Sequence, residues 1–140
     1  MSNCEAIQAD IVAEFSLFDD WQERYRHIIE LGRLLPPYPE ALRQDQFLVR
    51  GCQSRVWLHP RQADGLMHFD ADSDALIVAG LVALVLRVYS GQPPSVIHAT
   101  EPHFIREIGL TDHLSLTRSN GLQAVIGTLK SYAAAAAAWS

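Results

Sequence analysis

One residue in this chain stands in a setting suited to sulfur chemistry. Cys52 follows Gly51 and precedes Gln53, Ser54 and Arg55, with Arg50 just upstream. A thiolate is a nucleophile, and neighbouring cations favour it over the thiol. Gly51 accepts backbone angles that a Cβ resists, which suits a turn that presents a side chain to a partner. The same residues have a plainer reading. A free cysteine is among the most buried residue types and often behaves as a small hydrophobe. Local composition alone favours that filler role and leaves the working thiol as the alternative.

Other chemistries are weaker. The six histidines, His27, His59, His68, His98, His103 and His113, are scattered, with no HExxH pair. His59 and His68 across a hairpin, with Cys52, sketch a zinc site, but structural zinc shows clearer ligand clusters. His59 as the base of a cysteine hydrolase would also need an oxyanion site, for which the sequence offers no candidate. Asp72, Ser73 and Asp74 read as helix caps rather than metal ligands. Gly91-Gln92-Pro93-Pro94 reads as a helix stop rather than a phosphate loop. With two cysteines, Cys4 and Cys52, the chain cannot hold a four-cysteine cluster.

The elements that must position Cys52 are legible from pattern. Phe47-Leu48-Val49 and Val56-Trp57-Leu58 read as extended pieces on either side of the thiol. Arg55–His59 and Leu66–Asp70 predict a hairpin around a turn-like Pro60–Gly65. Trp57, Met67 and Phe69 are placed on one face, with Trp57 as a core anchor. Upstream, Ile7, Ile11 and Phe15 mark a short amphipathic helix. Asp20 with Glu23 predicts a capped second helix, with Trp21, Tyr25, Ile28, Gly32 and Leu35 on one face and Arg24, Arg26 and Glu30 in solvent. Pro36-Pro37 ends it. Tyr38–Asp45 is a connector with one helical turn.

Downstream, Asp72-Ser73-Asp74 caps a buried helix from Ala75 to Tyr89, in which Gly80 permits close backbone approach. Pro94–Ala99 and Pro102–Ile108 read as short helices and His113–Arg118 as a connector. The last helix is predicted to start at Ser119 or Asn120. Leu122, Val125, Ile126 and Leu129 form its buried stripe, and Ala133–Ala138 extend it.

The 140 residues suit one domain with one core, residues 1–140. Hydrophobic residues make up 49% and charged residues 19%, so the chain should fold. A net charge of -5 argues against a nucleic-acid partner, which calls for a basic face. The longest apolar run, Ala75 to Leu86, falls short of the roughly 20 residues that span a bilayer, so no membrane partner is expected. The opening residues lack a signal-peptide pattern, and two cysteines make no disulfide framework. A cytoplasmic protein with reduced thiols is the simplest expectation. Cys4 is placed near a mobile terminus.

Gly51–Leu58, GCQSRVWL, resembles the signature of the SufE family. Four further segments are similar to that family: DWQERYRHIIELGRLLPP (Asp20–Pro37), DSDALIVAGLVALVL (Asp72–Leu86), Gly-x-x-Pro (Gly91–Pro94) and LSLTRSNGL (Leu114–Leu122). The resemblance covers about Trp21 to Leu129. The resemblance implies an α+β fold with a small antiparallel sheet packed against helices, similar to U-type iron–sulfur scaffold proteins. It implies a sulfur acceptor and activator for a pyridoxal-phosphate-dependent cysteine desulfurase, serving iron–sulfur cluster assembly and an assembly scaffold. Cys52 would be the persulfide-forming thiol, with no metal and no cofactor of the chain's own. Gly51, Gln53, Ser54, Arg55 and Arg118 would support the loop or meet the partner. Two other readings stay open: a module that activates a desulfurase without carrying sulfur, and a redox-sensing thiol protein. For a carrier, Val49, Val56 and Leu58 should anchor the turn and partly shelter Cys52, while Gly51 keeps it deformable; that burial should raise the thiol pKa and slow its reactions despite Arg50 and Arg55.

Overall fold

The computed structural model describes residues 3–138. Helices α1 (Asn3–Phe15) and α2 (Trp21–Arg33) are followed by two single-turn 3-10 segments, Glu40–Leu42 and Asp45–Phe47. A hairpin comes next, β1 (Val56–Ala63) and β2 (Leu66–Ser73). Helices α3 (Leu76–Tyr89), α4 (Pro94–Ala99), α5 (Phe104–Glu107), α6 (Leu110–His113) and α7 (Leu116–Ala138) complete the α+β fold. Among the described residues no helix is long and apolar enough to cross a membrane.

The core is built around α3, most of whose residues from Ala79 to Tyr89 are buried. Helix α2 crosses it where two glycines meet. A Cβ on Gly80 would stand 2.0 Å from the Ile28 carbonyl oxygen, and one on Gly32 would stand 2.6 Å from the Gly80 nitrogen. The close approach expected at Gly80 is therefore real. Asp20 caps α2 as its spacing predicts, accepting from the Glu23 N–H at 2.8 Å.

Helix α1 buries Cys4, Gln8, Ile11 and Phe15, with Ile7 at the margin of the stripe. Cys4 is thus a core residue rather than part of a loose end. It is fully buried, and its thiol donates to the Val88 carbonyl at 3.3 Å. Gln8 is tolerated there because both ends of its amide are satisfied: Nε2 donates to the Glu101 carbonyl and Oε1 accepts from the Phe104 N–H. Arg24, expected in solvent, instead donates to the Phe18 and Ile108 carbonyls and ties α2 to the α5–α6 segment.

The hairpin pairs Val56 with Ser73 at one end and Ala63 with Leu66 at the other. Asp64 and Gly65 turn it, with φ of 55° and 77°, the left-handed pair that matches strand twist. Pro60 therefore lies inside β1 rather than at the start of a turn. It faces Phe69, whose N–H turns outward to Ser90 Oγ at 3.0 Å. The strands exchange no hydrogen bond at that pair, so proline's missing donor costs the ladder nothing.

This register also corrects Trp57. Val56 and Leu58 are buried against the helices, and Trp57 between them is on the other face, opposite Asp72 and away from Met67 and Phe69. There the Arg43 guanidinium lies 4.9 Å from its ring centroid and Tyr38 lies 6.4 Å away. Arg43 also donates to Asp72 at 2.6 Å, strapping the connector onto the hairpin. Trp57→Ala should cost about 2 kcal/mol in a denaturant melt, short of the roughly 3–5 kcal/mol of a fully buried aromatic. A loss in the full-core range would put the ring back in the core.

Candidate functional site

The segment carrying Cys52 is clamped at both ends. At its start the Val49 N–H donates to the Val56 carbonyl at 2.8 Å, and Leu48 bridges to Trp57. Only Leu48 and Val49 of the predicted first extended piece are extended, because Asp45–Phe47 forms a 3-10 turn. Val49, Val56 and Leu58 are buried and anchor the clamp. At its far end the Arg55 N–H donates to Asp74 Oδ1 at 3.0 Å, while the Arg55 carbonyl accepts from Asp74 N–H and from Ser73 Oγ. Asp72, Ser73 and Asp74 thus do not cap α3 as expected; its capping position is Ala75, which has no side-chain oxygen. Asp74 and Ser73 fasten the cysteine loop, and Asp72 holds Arg43.

Between the clamps the chain turns at Gly51, with φ of 95°. A Cβ there would press on Ala124 at 3.3 Å, so glycine serves both the angle and the fit. Cys52 is half-buried and packs against the core. Its Sγ lies 3.4 Å from the Gly121 carbonyl oxygen, to which the thiol donates. A Cβ on Gly121 would touch that sulfur at 3.6 Å, so the thiol rests directly on the backbone of α7.

Helix α7 starts at Leu116, earlier than Ser119 or Asn120, because Ser115 Oγ accepts from the Arg118 N–H at 3.2 Å and caps it. Arg118 therefore sits in the first turn of the helix rather than in a connector. It lines a cleft of about 700 Å³ together with Cys52, Gln53 and Ser54. Leu76, Leu81, Leu122 and Ile29 supply apolar wall, and Leu76 remains 60% exposed at its edge. The structure thus gathers Cys52, Gln53, Ser54 and Arg118 at one opening. Gly51 shapes the turn beneath it, and Arg55 joins the site through its backbone.

Gly121 was not picked out by sequence reasoning. A glycine inside a helix costs about 1 kcal/mol relative to alanine, and that cost is the signal that it has a task. His59 is not at this site. It lies edge-on to Phe47 and 3.5 Å from Asp70 on the outer face of the hairpin. Among the described residues no three His, Cys, Asp or Glu side chains are grouped to hold a metal ion.

Burial pushes the Cys52 thiol above its ordinary pKa. Arg50 and Arg55 are exposed, and the shift comes from desolvation, as expected of a thiol sheltered among apolar residues despite the flanking arginines. Alkylation needs the thiolate, so a raised pKa lowers the reactive fraction at neutral pH. Iodoacetamide should modify Cys52 in the free protein more slowly than a model thiol, and the rate should climb through a midpoint displaced to higher pH. Modification as fast as the model thiol at every pH would contradict the sheltered geometry.

A family model described as SufE, the Fe-S metabolism associated domain, matches residues 9–133. The chain belongs to the SufE family. It is 43% identical over 128 residues to an uncharacterised SufE-like protein of Rhizobium meliloti (strain 1021), covering 88% of this chain and 91% of that one. It is 44% identical over 133 residues to an uncharacterised SufE-like protein of Rhizobium etli, covering 91% and 90%. The solution structure of a hypothetical protein from Thermus thermophilus has the same fold, with a TM-score of 0.78 at 20% identity over 94% of this chain and 96% of that one. As a SufE-family member this chain is associated with iron–sulfur metabolism.

Proposed function

We propose that this SufE-family protein accepts sulfur on Cys52 from a pyridoxal-phosphate-dependent cysteine desulfurase, raises that enzyme's turnover, and hands the sulfur to an iron–sulfur scaffold. The observation that carries this reading is Cys52 itself: a half-sheltered thiol on a glycine turn clamped at both ends, at the mouth of a cleft. The step is a thiol exchange. Cys52 gives its proton to solvent, and its thiolate attacks the outer sulfur of a persulfide on the desulfurase. The bond between the two donor sulfurs breaks, its electron pair leaves with the donor's cysteine as a thiolate, and Cys52 becomes the persulfide. Nothing is oxidised or reduced overall, so the protein needs no cofactor of its own for the step.

The neighbouring residues take supporting roles in this reading. Gly51, at a φ of 95°, lets the turn bend outward, because without a Cβ it moves between left-handed and other angles at little steric cost. Arg118 offers a planar set of donors at the rim for a carboxylate or carbonyl group of the partner. Gln53 and Ser54 supply polar contacts beside the thiol. Arg55 keeps the far end of the loop attached to Asp74 and Ser73 while the middle moves.

The test is alanine release from cysteine by a desulfurase, with the chain added over a range of concentrations. The expected result is a saturable, several-fold rise in turnover. A flat response at every concentration, with several desulfurases tried, would remove the proposal.

A further inference from the structure

The Cys52 thiol has one hydrogen to give, and it gives it to the Gly121 carbonyl. In an α-helix that carbonyl already accepts the N–H four residues on. Its second lone pair remains for the sulfur. This bond ties the middle of the loop to α7, between the Val49–Val56 clamp and the Arg55–Asp74 clamp.

We propose that the Gly121 carbonyl makes the resting seat of Cys52 selective for the empty carrier: it retains the free thiol and releases the sulfur-loaded form. This rests on the sulfur-acceptor reading above. When Sγ bonds to a second sulfur it has lost its hydrogen, whatever the protonation of the outer atom. A sulfur without a hydrogen would then face a carbonyl oxygen at 3.4 Å, acceptor against acceptor. The free thiol satisfies the seat, and a persulfide, a disulfide or a thiolate does not. Gly51 supplies the hinge, and the open cleft beside Cys52 supplies the way out.

The consequence is that empty and loaded carriers show different surfaces. A desulfurase must draw the loop out of its seat before Cys52 can attack. A sulfur-receiving partner meets a loop that loading has already freed. The retracted thiol is kept protonated and slow to react, so stray electrophiles find it poorly available between cycles.

Methyl methanethiosulfonate tests this without any desulfurase. Cys52 thiolate attacks the reagent's sulfenyl sulfur, methanesulfinate leaves, and Cys52–S–S–CH3 forms as a stable mimic of the loaded state. Cys4 is fully buried and out of the reagent's reach. Hydrogen exchange is read by mass on the peptide spanning Val49–Val56, with α3 as the internal standard for an intact fold. Four proteins are compared: wild type, the adduct, Cys52→Ser, which keeps a donor, and Cys52→Ala, which is small but has none. The adduct and Cys52→Ala should exchange about fivefold faster than wild type, as expected for one weak hydrogen bond lost. Cys52→Ser should stay near the wild-type rate. An adduct with wild-type exchange overturns the proposal. So does Cys52→Ser exchanging as fast as Cys52→Ala. Opening in the adduct without opening in Cys52→Ala also overturns it, because bulk rather than the lost bond would then expel the loop. A desulfurase that failed to load Cys52 would leave all four rates unchanged, so the two failures are distinguishable.

Discussion

Cys52→Ser is expected to reduce sulfur acceptance from a desulfurase to background, and Cys4→Ala is expected to retain it per folded molecule. Serine keeps the size and the hydrogen bond to Gly121, so the loop should remain in place. Its hydroxyl does not form a persulfide, and that is the property removed. Cys4 is also a thiol, but it is fully buried under α1 and donates to Val88. No partner can reach it without unfolding that helix. Its replacement should cost roughly 1–2 kcal/mol of stability through a small cavity and a lost hydrogen bond. Transfer of radiolabel from sulfur-labelled cysteine onto each variant separates the cases. Equal loss in both would end the carrier account. Full desulfurase stimulation by Cys52→Ser, with no label carried, would leave an allosteric binding module in its place.

The second large effect falls on stability. Gly80→Ala should destabilise the protein by about 3 kcal/mol or more, the upper range for overpacking, and lower the melting temperature by about 10 °C. Helix propensity alone would favour alanine by about 1 kcal/mol. The crossing reverses that sign. The added carbon would fall 2.0 Å from the Ile28 carbonyl oxygen, and backbone cannot swing aside as a side chain can. Helices α2 and α3 would have to part. Both contribute wall to the cleft beside Cys52, α2 through Ile29 and α3 through Leu76, Leu81 and Val82. A melting temperature equal to or above the wild type would show that the two helices are not in backbone contact there.

Particular residues show which parts of this protein are readable from its sequence. The capped start of α2 and the close contact at Gly80 rest on short-range patterns and the α+β class on the family resemblance, and the structure bears all three out. Parity in the hairpin is harder to read. A turn spread over Pro60–Gly65 puts Trp57 on the same face as Met67 and Phe69. The tight Asp64-Gly65 turn brings Trp57 opposite Asp72 instead. Proline inside β1 gives a false stop, because the pair it belongs to exchanges no hydrogen bond.

At the site, the glycine turn and the partly sheltered thiol are legible, since apolar Val49, Val56 and Leu58 flank a deformable residue. So is the direction of the thiol's pKa shift, because burial among apolar neighbours outweighs the two flanking cations. Arg50 and Arg55 are close to Cys52 in sequence, yet they stand in solvent, and desolvation governs the thiol. Asp74 and Ser73 look like helix caps because capping residues and loop fasteners are the same residue types. Gly121 is 69 residues from Cys52, and nothing local in either segment names the other. The start of α7 is ambiguous because Ser115 and Ser119 are both good caps. Only the bond from Arg118 decides between them.

The most direct measurement is mass spectrometry of the intact protein and its peptides after incubation with a cysteine desulfurase, pyridoxal phosphate and cysteine. The account predicts one added sulfur atom, lost on treatment with a reducing agent and mapped to the peptide containing Cys52. An unmodified Cys52 alongside an active desulfurase, or added sulfur found only on another residue, would contradict it.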